Sequence, residues 1–312
     1  MSNSFSVAVR TGPTLWSGWA MALFATFSFS IAPPLTKAAL NLGLDPVTLL
    51  ALRYVAAALL LLVTIWLTNR QNVTIDRRGL SICITAGVLF WLAVLSFTWA
   101  LTRLNASLAT MIGAAYPLVV LVLLALRGEH FTYRNIVRLI VGFGGIYLLI
   151  GPGGQVDIVG VLLVLCTSLM YSLYLVLIQW YLQAYQAQTV TLYVVSTIAI
   201  CMSGLWLAQG AVWQAPAWQG WLMIGLLVLV STYLGQLALF AAVRGIGSGQ
   251  MALLNPIETL LTIIWSILFL AEWLSLWQWL GGALILVSML LAMRRIRRAQ
   301  RIDWRARLRL RL

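Results

Sequence analysis

The chain has 312 residues, of which 62% are hydrophobic and only 9% charged, and its formal net charge is +13. About a quarter of the residues in a soluble domain are charged, so this composition excludes a water-soluble globular fold. Positive charge on this scale suggests nucleic acid only where no membrane accounts for it.

A bilayer core about 30 Å thick is crossed by roughly 20 apolar residues in a helix. In chain order such stretches cover residues 16–35, 47–67, 80–101, 106–126 and 133–151, then 158–178, 190–207, 218–243, 251–271 and 273–293. The fifth carries Arg134 and Arg138 in its first turns, which must snorkel to the interface. The first is too long for a signal-peptide core and is expected to be retained. Cys83, Cys166 and Cys201 fall inside spans without paired spacing, so neither a disulfide nor a metal site is expected.

The chain also repeats itself. An offset of about 142 residues brings Gly18 onto Gly160, Ser30 onto Ser172 and Lys37 onto Gln179, while Glu129 meets Glu272 one residue out of register. Each copy holds five spans, and an odd count sends the second copy through the bilayer in the opposite sense. The expected fold is an all-α membrane protein of ten transmembrane helices, built as two inverted five-helix repeats. The first repeat takes 1–151, the second 152–293, and a basic tail 294–312. Inverted repeats of this kind recur in secondary transporters, with a central site at their interface and access alternating between the two sides.

The charges follow the same topology. With the amino terminus inside, all Lys and Arg except Lys37, Arg53 and Arg103 fall in cytoplasmic segments. That bias predicts cytoplasmic termini in a cell (inner) membrane protein. The nine arginines from Arg294 onward then lie on anionic lipid headgroups, and nucleic acid is not expected as a partner. Trp213, Trp218, Trp221, Trp273 and Trp277 cluster near predicted outer boundaries, as an aromatic belt does.

Several stretches resemble the drug/metabolite transporter superfamily, in particular its ten-span exporters with two EamA-type repeats. These are Leu44-Asp45-Pro46 followed by Ala51-Leu52-Arg53-Tyr54, Lys37 after the first span, Ala115-Tyr116-Pro117 before Glu129, and Asn255-Pro256 before Glu272 with Gly281 and Gly282 beyond. The resemblance covers nearly the whole chain. It implies a mechanism class, export of a small solute, and a cavity walled by the first, third, fourth, sixth, eighth and ninth helices. It does not imply a substrate.

Candidate pathway residues are the polar and aromatic groups inside spans, because lipid gives them no partners. Glu258 is the sharpest, an acid placed about two turns into the ninth span. Asn255, Glu258, Thr262 and Trp265 recur at helical spacing and share one face. Tyr171 and Tyr174 stand with Thr167 on the sixth span, Tyr233 and Gln236 on the eighth, Ser96 and Trp99 on the third, and Ser30 with Thr26 and Ser28 on the first. Any one aromatic stripe is more often packing than a ligand site; it is their combination on these helices that points to a cavity. Pro33-Pro34, Pro117 and Pro256 interrupt the first, fourth and ninth spans, and the latter two are assigned to gating. Glu129 and Glu272, at helix ends, read as structural or interfacial. Gly142, Gly144, Gly145, Gly281 and Gly282 read as close-packing surfaces in the fifth and tenth spans. Arginines are read as lying near span ends, which argues against multiply charged anions as solutes.

The function expected is secondary transport of a small organic solute, an amino acid or amphipathic metabolite, without a cofactor. Two alternatives are a receptor or assembly subunit without flux, for which an inverted duplication has no use, and a membrane-embedded enzyme. An enzyme needs a convergent acid–base or metal set, and a chain with one histidine, His130, and no phosphate-cradling loop offers none.

Overall fold

The computed structural model describes residues 15–68, 74–116, 119, 133–150, 156–181, 185–210, 215–246 and 254–288. The secondary structure of these residues is helical throughout. Helix α1 (Leu15–Ser30) and helix α2 (Ala32–Asn41) make one bent span. The bend falls at Ile31 because Pro33 and Pro34 have no N–H for the carbonyls of Phe29 and Ser30, while α2 itself tolerates prolines in its first turn. Helices α3 (Pro46–Thr68) and α4 (Arg77–Arg103) follow. Asp45 starts the first of these, accepting from the Thr48 backbone N–H at 2.9 Å, and Asp76 starts the second, accepting from Gly79 at 3.3 Å. A carboxylate in that position meets an orphan donor and the positive end of the helix.

Helix α5 (Ala106–Gly113) is only eight residues long, breaking ahead of Tyr116 and Pro117. Helix α6 (Tyr133–Ile150) closes the first repeat. The second begins with α7 (Ile158–Tyr181) and α8 (Ala187–Ala208). Its third span is one continuous rod of α9 (Trp218–Leu226), a π-helical segment (Leu227–Leu234) and α10 (Gly235–Ile246). Helices α11 (Asn255–Leu270) and α12 (Leu276–Ser288) complete the described chain.

Among the described residues six helices are long and apolar enough to cross a membrane, and three shorter apolar ones match the fifth, ninth and tenth expected spans. Much of the fourth lies outside the described residues, as do Pro117, Glu129, His130 and the basic tail. One expectation changes here. Pro256 does not interrupt a helix but lies in the first turn of α11, where its missing N–H costs nothing, so Glu258 also sits in the first turn rather than two turns in.

The helices pack in pairs that correspond when the two repeats are exchanged. The contact of α4 with α7 corresponds to that of α1 with α10, and α1 with α11 to α5 with α7. Two pairs, α3 with α8 and α5 with α11, map onto themselves. A further contact of that self-mapping kind joins α6 and α12. A Cβ on Gly281 stands 2.6 Å from the Gly145 carbonyl oxygen, and a Cβ on Gly145 stands 2.8 Å from that of Gly281, so only glycine permits this approach. Gly282 instead faces Met111, and Gly144 meets nothing within 4 Å. The largest core gathers α3, α4, α8 and the eighth span around Leu50, Leu61, Ile198 and Leu227. Outward-facing Leu59, Val63, Ile140, Phe143, Ile200 and Leu268 are exposed, as lipid-facing surfaces require. Trp218, Trp221, Trp273 and Trp277 are exposed as well.

Candidate functional site

Where α1 bends, the Ser30 carbonyl loses the donor that Pro34 lacks. The Thr262 hydroxyl of α11 takes its place in part, its proton shared between Ser30 O and the Glu258 carbonyl of its own helix, each at 2.9 Å, and Trp265 Nε1 donates to Ser30 Oγ at 3.1 Å. The indole edge also meets Phe27, with ring centroids 5.5 Å apart. In the second repeat Ser172, the counterpart of Ser30, shares its hydroxyl proton between the Ser168 carbonyl of its own helix at 2.6 Å and the Tyr116 carbonyl at 3.1 Å. Each repeat's first helix is thus tied by a serine to the proline-bearing helix of the other repeat.

Between these two ties the proline motifs themselves meet. Tyr116 precedes Pro117 and Asn255 precedes Pro256, and the Asn255 side-chain amide donates to the Tyr116 hydroxyl. Tyr116 is then packed edge-on against Tyr171 at 5.2 Å, Tyr171 lies over Tyr174 at 5.8 Å, and Phe90 stacks on Tyr174 at 4.7 Å. Glu258, half-buried one turn beyond Asn255, lies within electrostatic reach of Tyr116 and Tyr171. Among the described residues its carboxylate accepts no hydrogen bond and faces no cation. A carboxylate inside a membrane span without a counter-charge is costly, which marks a place built for something else.

The structure therefore brings Ser30, Tyr171, Tyr174, Asn255 and Glu258 into one region lined by α1, α4, α7, α11 and the chain just beyond α5. The Tyr233 hydroxyl pairs with Thr64 of α3 at 2.6 Å and its ring packs against the large core, as Phe90 and Tyr174 also do, while Gln236 is half-buried on the same span. Ser96 turns to Cys166 at 3.8 Å. Trp99, which is 40% exposed, stands about 180° around α4 from Phe90 and so points away from the tyrosines. Thr26 and Thr167 return their hydroxyls to carbonyls of their own helices.

Of the two readings of Glu272, structural or interfacial, the structural one holds: it is buried, and its two oxygens accept from the backbone N–H groups of Ala106 at 2.7 Å and Ser107 at 2.9 Å, capping α5. Lys37 lies within reach of it and donates to the carbonyls of Leu101 at 2.6 Å and Leu104 at 3.0 Å. Together they clamp the turn between α4 and α5. Arg53 is not near a span end. Its guanidinium donates through Nε to Thr232 Oγ1 at 2.8 Å and through Nη2 to Ser231 Oγ at 3.1 Å, halfway along the eighth span.

Sequence reasoning did not single out Phe90, Tyr116 or Arg53 as site residues. Tyr116 carried a signal in its place before Pro117; Phe90 carried none. Among the described residues no three His, Cys, Asp or Glu side chains converge as a metal site. Outside the spans, Arg103 and Asp157 form an exposed ion pair at 2.9 Å. The Arg103 hydrogen bond, aided by the N–H groups of Val159 and Gly160, holds the Asp157 carboxyl below its ordinary value.

The model of the EamA-like transporter family matches twice, at residues 16–151 and 158–294. No curated protein matches the chain. Sixteen chains of solved structures do. One of them, described only as the crystal structure of a protein, is similar over 91% of this chain and 99% of its own, with 16% identity and a TM-score of 0.63. At that identity the likeness speaks for the fold alone.

Proposed function

This chain belongs to the EamA-like transporter family and is a multi-pass helical membrane protein, and from that premise we propose that it exports a small organic solute by alternating access. The solute class is an amino acid or an amphipathic metabolite, bound where the two proline motifs meet. The observation that carries this reading is Glu258, an acid without a protein partner among the described residues, one turn beyond the Asn255 that bonds Tyr116 at the end of a row of tyrosines drawn from both repeats. Aromatic faces hold an apolar body, and the carboxylate receives a positive group or a proton.

Alternating access is supported by the correspondence of helix contacts under exchange of the repeats. A bundle whose halves are interchangeable has a second arrangement of similar energy, opened toward the other side. The bends at Ile31 and ahead of Tyr116 lie beside the site, and motion there alters its exposure. The termini are cytoplasmic in a cell (inner) membrane, and the basic tail rests on anionic headgroups; the distribution of Lys and Arg supports both.

The test is flux in proteoliposomes across amino acids and amphipathic metabolites, with and without a pH gradient, for the native chain and Glu258→Gln. Gradient-stimulated flux that the substitution abolishes is the expected result and makes Glu258 a proton relay. Gradient-independent flux that survives it returns Glu258 to a structural role and leaves a uniporter. Absence of flux for every solute overturns the proposal.

A further inference from the structure

We propose that Arg53 is a carboxylate-binding subsite of the solute pathway, so that the solute transported carries one carboxylate. The inference rests on the transporter reading above and deepens it by naming a chemical class. Arg53 lies about 10 Å along α3 from its start, and its guanidinium rests against Ser231 and Thr232, midway along the eighth span. A cation at that depth is normally matched by an acid. Here both partners are neutral hydroxyls. The Thr232 hydroxyl spends its own proton on the Leu227 carbonyl at 3.1 Å, and so turns lone pairs to the arginine.

The orientation of the guanidinium is specific. Its Nε–Nη2 edge is used by the hydroxyls, and one face lies over the Tyr54 ring at 5.4 Å. The Nη1–Nη2 edge has no partner among the described residues, whose one ion pair is that of Arg103 with Asp157. Two parallel N–H groups on a planar cation match a carboxylate in bidentate fashion. A phosphate dianion would leave one of its charges unmet against a single arginine.

Arg53 is also joined to the site. Tyr54 belongs to the core against which Tyr174 packs, Tyr174 stacks on Tyr171 and Tyr171 meets Tyr116, which bonds Asn255 one turn before Glu258. An unmatched cation and an unmatched carboxylate thus stand at the two ends of an aromatic row. The structural alternative is that Arg53 merely staples α3 to the eighth span. That role needs its Nε–Nη2 edge only and gives no preference among solutes.

The experiment is flux of matched acids and amides through proteoliposomes of the full chain. The probes are leucine, phenylalanine and 4-phenylbutyrate, each against its amide. The expected result is that the native chain carries an acid on the order of tenfold to a hundredfold faster than its amide. Arg53→Gln is expected to erase that preference by slowing the acid alone, and Arg53→Lys to retain part of it. Equal handling of acid and amide by the native chain needs no variant to fold, and it overturns the proposal. So does an equal loss for both in Arg53→Gln. Flux of other solutes without any of these acids sinks the carboxylate subsite alone, whereas no flux of any solute removes the transporter reading as well.

Discussion

Two glutamates stand at opposite ends of α11, and the protein treats them in opposite ways. Glu272, just past the carboxyl end, has both oxygens occupied by the first N–H groups of α5 and Lys37 close by. Glu258, in the first turn, stands one turn beyond the Asn255 that bonds Tyr116 and has no donor or cation among the described residues. The same side chain in the same lipid slab is a rivet in one place and an open valence in the other. What separates them is whether the chain itself supplies the partners. An acid inside a membrane span is a functional suspect by default, but the suspicion lapses once its hydrogen bonds are closed.

The contrast breaks most directly at the rivet. Glu272→Ala leaves two buried N–H groups unmet and strips Lys37 of its counter-charge, at an expected cost of about 3–5 kcal/mol. Thermal unfolding of the purified protein in detergent is expected to show a large drop; an unchanged melting temperature would place Glu272 with Glu258. Glu258→Gln is expected to do the reverse. It removes an unmatched charge, so the melting temperature holds or rises, while gradient-driven flux falls by more than about tenfold. A variant that unfolds without losing flux would exchange the two roles.

Smaller changes sharpen the comparison. Gly281→Ala puts a methyl group 2.6 Å from the Gly145 carbonyl, and overpacking of that kind costs about 1–3 kcal/mol. Its melting temperature should fall while the solute affinity of the folded fraction stays constant, because the strain lies at the α6–α12 contact and not at the tyrosines. The smallest effect belongs to a third carboxylate, the exposed Asp157. Its pKa is lowered in the folded protein, so the stability that it contributes is fully present above the ordinary value of 3.8 and is lost as pH falls through the lowered one. Asp157→Asn should flatten that acid limb of a melting-temperature profile and leave the neutral range almost unchanged; an equal slope in both proteins would assign the limb to other groups.

Most of the helical plan was readable from apolar length, and the repeat was readable from Ser30 and Ser172. The shared face of Asn255, Glu258, Thr262 and Trp265 also followed from spacing alone, and Thr262 and Trp265 do meet Ser30 from it. Glu272 was readable as structural or interfacial but not as a cap of α5, because its partners are backbone groups of Ala106 and Ser107, which carry no side-chain signature. Arg53 was misplaced for a related reason. Its Cα already stands about 10 Å into α3, but the groups that hold its charge, Ser231 and Thr232, belong to another helix that the local sequence does not reveal. The bond from Tyr233 to Thr64 of α3 was likewise hidden, because its partner lies in the other repeat.

The bond between Tyr116 and Asn255 has a property that no other polar contact described above shares. Its two ends each precede the proline of their repeat, one just beyond α5 and one at the start of α11, and trading the repeats carries that pair of helices onto itself. Any rearrangement in which the halves swap postures must make and break contacts everywhere else, yet it can leave this one standing. Displacement then grows with distance from it, as it does along the spokes of a wheel. The solute, seated beside the hub, would be passed from one side of the membrane to the other while scarcely being moved.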